Sequence, residues 1–129
     1  MENALKLAYP AGRAALGALF FISGMFKIVG FAGVAGFMAS KGLPFASALL
    51  VMTIAIEVAG GLSLITGFQA RWAALVIALF LIPTTFVFHA FWSADPAHFQ
   101  DQLTAFLKNL AIFGGMLLVI ERGFRASKP

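Results

Sequence analysis

The chain has 129 residues, 61% of them hydrophobic and only 11% charged, with a formal net charge of +4. A single domain this small cannot cover itself in water with so little polar surface, because soluble domains carry about 25% charged residues, so its surplus apolar area must meet lipid. Cysteine is absent, which excludes disulfides, thiolate metal sites and cysteine-relay chemistry. The nine Lys and Arg are scattered, mostly at the ends of apolar runs, so they give topology information and no nucleic-acid surface.

A membrane-crossing helix needs about 20 mostly apolar residues, and four segments meet that length. The first covers about residues 9–29 and breaks at Gly30 and Gly33. Arg13 and Lys27 interrupt its apolar run and no small-x-small site follows, so it reads as a span and not as a secretory leader. The turn Gly42-Leu43-Pro44 leads to the second span, about residues 46–68, with Pro44 suited to a helix start. The third, about residues 71–92, contains Pro83, which predicts a kink. Asp95-Pro96 makes a cap and an interfacial turn before the fourth span, about residues 101–120, which Glu121-Arg122-Gly123 ends.

The fold class expected is therefore all-α, a single transmembrane domain built as a four-helix membrane bundle. Lys6, Arg71, Arg122, Arg125 and Lys128 fall on one side of these spans; Lys41, Asp95 and Asp101 fall on the other, with Lys27 at its edge. The excess of Lys and Arg in short flanks marks the cytoplasmic side, so both termini are expected there. Tyr9 and Trp72 mark the inner interface, and Trp92 with Phe99 the outer one.

An ionised side chain at the bilayer centre costs about 2.5–3.5 kcal/mol, so each one inside a span calls for a partner, water or a purpose. Glu57 lies at the midpoint of the second span, and Thr53, Glu57 and Gly61 share one helical face that must point into the bundle. By depth its expected partner is Lys108, about 4.5 Å outward of the fourth span's midpoint at 1.5 Å per residue, with Asn109 about 100° around the helix. Arg13 is the second choice. Lys27 either snorkels to the interface or, with His89 and Lys108, lines a cationic pocket that opens outward above Glu57. Such a pocket, framed by Phe86, Phe88 and Phe106, suits a small oxyanion or a ligand with carbonyl oxygens, such as a quinone head group. The plain reading of Glu57 and its cation is a buried ion pair that fixes helix register. His98, beside Asp95 and Asp101, reads as solvated loop polarity. With two histidines in the chain, no metal site is expected.

Taken in order, Arg13 and Leu16, Phe21-Ile22-Ser23-Gly24-Met25-Phe26-Lys27, Gly42-Leu43-Pro44, Glu57-Val58-Ala59-Gly60-Gly61 with Gly67 and Arg71, His89, Phe106-Leu107-Lys108-Asn109-Leu110 and Gly114-Gly115 resemble the DoxX family. The resemblance runs over nearly the whole chain. It implies a small four-helix protein of the bacterial inner membrane. Relatives include the membrane subunit of a thiosulfate:quinone oxidoreductase and members of oxidative-stress and thiol-homeostasis complexes. If that redox association carries over, it implicates Arg13, Lys27, Glu57, His89, Lys108 and Asn109.

Two functional expectations follow. In the first, the chain is a membrane subunit of a redox system that binds quinone or a small oxyanion. Lys108 and His89 polarise or protonate the ligand, and Glu57 holds Lys108 charged and relays a proton. No intrinsic cofactor is expected, so electrons come from a quinone or a partner redox subunit, and catalysis by the chain alone is not expected. In the second, the chain is a non-catalytic scaffold whose polar residues only lock the bundle. A small-solute permease is disfavoured by the small number of helices. The lipid bilayer is the one certain partner of all these readings, and Ala14 and Ala18, four apart, permit homo-oligomers without requiring them.

Overall fold

A computed structural model describes residues 1–126; Lys128, counted above on the cytoplasmic side, lies outside the described residues. Five helices form: α1 (Glu2–Val29), α2 (Phe31–Ser40), α3 (Ala46–Thr66), α4 (Ala70–Phe88) and α5 (Phe99–Ala126), with a single 3-10 turn at Phe91–Ser93. Four of the segments are long and apolar enough to cross a membrane, as the sequence predicts. α1 and α5 each run to 28 residues, about 42 Å at 1.5 Å per residue against a hydrocarbon core of about 30 Å. Their ends therefore extend beyond the hydrocarbon.

The departures from the expected elements are local. Residues 31–40, read as a broken connection, form α2, which packs on α3 and α1. Pro44 does not open the second span; it lies in the preceding turn, and Phe45, at φ 53, stands before α3. α4 continues across Pro83, which has no N–H to offer the preceding turn, and the Thr84 hydroxyl donates to the Phe80 carbonyl at 2.8 Å. Asp95 Oδ1 accepts the His98 amide at 3.0 Å, holding the turn that leads into α5.

Packing between helices is set by glycine. A Cβ on Gly61 would come within 2.6 Å of the Phe21 amide nitrogen and 2.7 Å of the Gly17 carbonyl oxygen, while one on Gly24 would meet Val58 at 2.7 Å. Bare backbone on both sides thus lets α1 and α3 touch along much of their length, which matters where lipid removes the hydrophobic drive between helices. Gly60 meets Ile77 of α4 in the same way, at 2.9 Å. Two adjacent glycines about 100° apart on the helix place α3 between α1 and α4. α5 packs mainly on α4 and touches α1 near Gly115 and Leu16. The core joins Phe20, Leu64, Ala74, Ile77, Leu81 and Met116. The outward faces remain apolar, with Phe26, Leu79 and Leu118 each at least 60% exposed, as lipid contact requires. Arg122, near the end of α5, stands 3.9 Å from the centre of the Tyr9 ring near the start of α1. Both ends of the described chain therefore share one end of the bundle.

Candidate functional site

Glu57 sits mid-way along α3 and is buried. Its partner is Lys27, not Lys108: Lys27 Nζ donates to Glu57 Oε1 at 2.9 Å and to Ser23 Oγ at 2.7 Å. Lys27 thus turns back from the end of α1 toward the midplane and does not merely snorkel to the interface. Lys108 is exposed on α5 and has no ion pair or hydrogen bond among the described residues. The reason is azimuth. α1, not α5, is the helix that the glycine seam holds against the Glu57 face of α3.

Beneath α2 lies a cavity of about 350 Å³ lined by Lys27, Glu57, Thr53, Thr84, His89 and Gln102 together with Val34, Phe37, Met38, Leu50, Phe80 and Phe88. Its polar groups are few and mostly occupied. Thr53 and Thr84 donate to carbonyls of their own helices. His89 Nδ1 lies 3.0 Å from Gln102 Oε1. An amide oxygen only accepts, so Nδ1 carries the proton in that contact, and a neutral ring then keeps Nε2 as an acceptor. The Lys27 ammonium has three N–H donors; Ser23 and Glu57 take two, and the third has no acceptor among the described residues. No buried side-chain nitrogen or oxygen there lacks a partner, so Glu57 Oε2, which receives no protein donor, opens on the cavity. A second groove, about 460 Å³, lies along Leu19, Ile22, Ser23 and Phe26 on the outside of α1. It shares Lys27 and Val34 with the cavity. Lys27 stands at the junction of the two.

The structure brings together Lys27, Glu57 and His89 and places the other expected residues elsewhere. Arg13 is at the opposite end of the bundle. Its Nε donates to the Leu64 carbonyl at 2.7 Å, satisfying a free carbonyl in the last turn of α3 and setting a cation at that helix's negative end. Gly67, at φ 86, leaves the space its guanidinium fills. Asn109 Nδ2 donates to Thr85 Oγ1 at 3.0 Å, tying α5 to α4. Asn109, Phe86 and Phe106 line a separate, almost wholly apolar groove of about 190 Å³, so of the expected aromatic frame only Phe88 faces the cavity. Gln102 and the α2 residues Phe37 and Met38 were missed. The signal available for α2 was a ten-residue apolar run between Gly30 and Lys41. In the loop, His98 Nδ1 lies 2.7 Å from Asp95 Oδ1, and this hydrogen bond holds the exposed Asp95 carboxyl below the usual carboxylate range.

The family model for DoxX matches residues 9–90. That span contains Arg13, Lys27, Glu57 and His89 and ends before α5, short of the near-complete coverage the motifs imply. Among known proteins, the chain is 36% identical over 107 residues to the inner membrane protein YqjF of Escherichia coli (strain K12), covering 81% of this chain and 75% of the relative. It is 28% identical over 111 residues to the inner membrane protein YphA of the same organism, covering 86% and 79%. No solved structure matches the chain.

Proposed function

This chain belongs to the DoxX family and is a multi-pass protein of the bacterial inner membrane, and from that premise we propose that it binds a quinone head group in the cavity beneath α2, as the membrane subunit of a quinone-linked redox system. The observation that carries this reading is a largely apolar cavity holding one ion pair with a spare ammonium N–H, beside a groove that opens toward lipid. Pockets of about 300–1,000 Å³ with an apolar lining and a few placed polar groups suit small ligands, and a quinone partitions into the bilayer from which the groove opens.

Lys27 donates its free N–H to a quinone carbonyl oxygen. Glu57 keeps the ammonium charged and oriented. His89, with Nδ1 engaged by Gln102, has Nε2 to accept from a quinol hydroxyl, the contact through which a proton passes. Reduction of quinone to quinol takes two electrons, which a partner redox protein supplies, and two protons from water, which pass to the quinone oxygens through the Lys27 and His89 contacts. A small oxyanion fits less well, since Lys27 is already neutralised by Glu57 and the anion would face Oε2. The Lys and Arg excess near the termini orients both termini to the cytoplasm and the cavity to the outer half of the membrane.

The scaffold reading has its own support in the satisfied polar contacts of Arg13, Asn109 and Lys27, each of which joins two helices. The two readings separate at His89, which is not part of the ion pair. In nanodiscs, His89→Ala is expected to weaken the binding of a short-chain ubiquinol about tenfold, the loss of one hydrogen bond of about 1.4 kcal/mol. Equal affinity of variant and unaltered chain would overturn the assignment.

A further inference from the structure

At the end of the bundle that carries both termini, opposite the cavity beneath α2, lies a second pocket of about 490 Å³ between the start of α1, the α3–α4 turn, the start of α4 and the end of α5. Three guanidinium groups line it, Arg13, Arg71 and Arg122, and among the described residues no carboxylate does. The nearest acid in sequence, Glu121, is paired with Arg125 at 2.8 Å. The guanidiniums are held by means other than ion pairing. Arg122 lies over Tyr9 at 3.9 Å, Arg71 stands 5.0 Å from the Phe124 ring centre and 5.9 Å from that of Trp72, and Arg13 Nε is bonded to the Leu64 carbonyl. Stacking on an aromatic face orients a guanidinium while leaving its in-plane N–H donors free. Arg71 spends one Nη1 N–H on the Gly123 carbonyl at 3.5 Å and Arg13 its Nε N–H on Leu64; the remaining donors of the three guanidiniums, with no counter-ion among the described residues, match a phosphate, whose oxygens accept bidentate pairs.

We infer that this pocket binds the phosphodiester head group of an anionic glycerophospholipid. The depth fits that occupant. Tyr9 and Trp72 mark the membrane interface at this end, and basic pockets between transmembrane helices at such an interface hold anionic lipid heads. Tyr9, Pro10 and Ala70 add apolar surface to the pocket's lining, which meets the glycerol end of the lipid. Its occupant also bridges α1 to α4 and α5, the last two of which already touch at this end through Arg71 and Gly123.

The test is native mass spectrometry of the delipidated chain after addition of phosphatidylglycerol or phosphatidylcholine at equal concentration. One phosphatidylglycerol per chain is expected to be retained at least tenfold more than phosphatidylcholine. Arg71→Gln combined with Arg122→Gln removes that preference, and Arg122→Lys, which keeps the charge but not the fork, reduces it part-way. Arg13 is left intact because it caps α3, and circular dichroism confirms that each variant is folded. Equal retention of the two lipids, or an undiminished preference in the double variant, would overturn the inference. Displacement of phosphatidylglycerol by millimolar inorganic phosphate would equally overturn it, by assigning the pocket to a soluble anion.

Discussion

At the scale of single residues, the Lys27–Glu57 contact concentrates the chemistry of the membrane interior, with the two side chains 27% and 6% exposed and 2.9 Å apart. Removing one partner of such a pair strands the other charge, at a cost of about 3–5 kcal/mol. Lys27→Met should therefore lower stability by that order, whereas Lys108→Met, on an exposed side chain, should change it by less than about 0.5 kcal/mol. Denaturant unfolding in micelles checks both. A larger cost at Lys108 would mean that depth, not helix adjacency, chose the partner. Glu57 itself was legible, because a carboxylate in the middle of an apolar span must face inward. Its partner was not. Counting residues along separate helices gives depth but not azimuth, and a lysine at the end of α1 can bend back along its stem. Arg13 and Asn109 were legible as polar groups inside the spans but not as structural ties, since their acceptors, the Leu64 carbonyl and the Thr85 hydroxyl, become apparent only once the helices are placed.

At the scale of elements, glycine decides which helices are neighbours. Gly61→Ala forces a methyl against the Phe21 amide and Gly17 carbonyl, backbone atoms that cannot move aside without parting α1 from α3. Overpacking of this kind costs about 1–3 kcal/mol. Gly12 and Gly114 have nothing within 4 Å of an added Cβ, so Gly12→Ala and Gly114→Ala should be neutral or stabilising by up to about 1 kcal/mol through helix propensity. The unfolding midpoint of Gly61→Ala should fall below those of Gly12→Ala and Gly114→Ala; a harmless Gly61→Ala would show that the α1–α3 contact is looser than described. The spans were readable because length and hydropathy suffice for them. α2 was not, because ten apolar residues are too few to cross the bilayer and the glycines around them read as a break. Its role as the cover over the cavity depends on where the chain turns after Gly30, which no periodicity records.

At the scale of the whole molecule, two polar sites lie at opposite ends of one apolar bundle. Beneath α2 an ammonium, a carboxylate and an imidazole share a small cavity; at the other end three guanidiniums share a pocket with no acid among the described residues. The first is balanced in charge and suits a neutral ligand, and the second is cationic and suits an anion. The bundle between them is held by close backbone contact and a few satisfied polar ties. This arrangement leaves the Lys27–Glu57 pair free to serve a ligand without being the main source of stability, and that separation of roles is the central claim.

The measurement that tests it most directly is quinone affinity of the double variant Lys27→Met, Glu57→Leu in nanodiscs, read beside its unfolding midpoint. Replacing both members of a buried ion pair with apolar side chains of similar size is often neutral or stabilising by about 1–4 kcal/mol, so the variant should fold and keep a midpoint at or above that of the unaltered chain. The account predicts that this folded variant loses at least tenfold in quinone affinity. A folded variant that bound quinone as tightly as the unaltered chain, or an unaltered chain that bound none, would contradict it and leave the pair as a lock on the bundle alone.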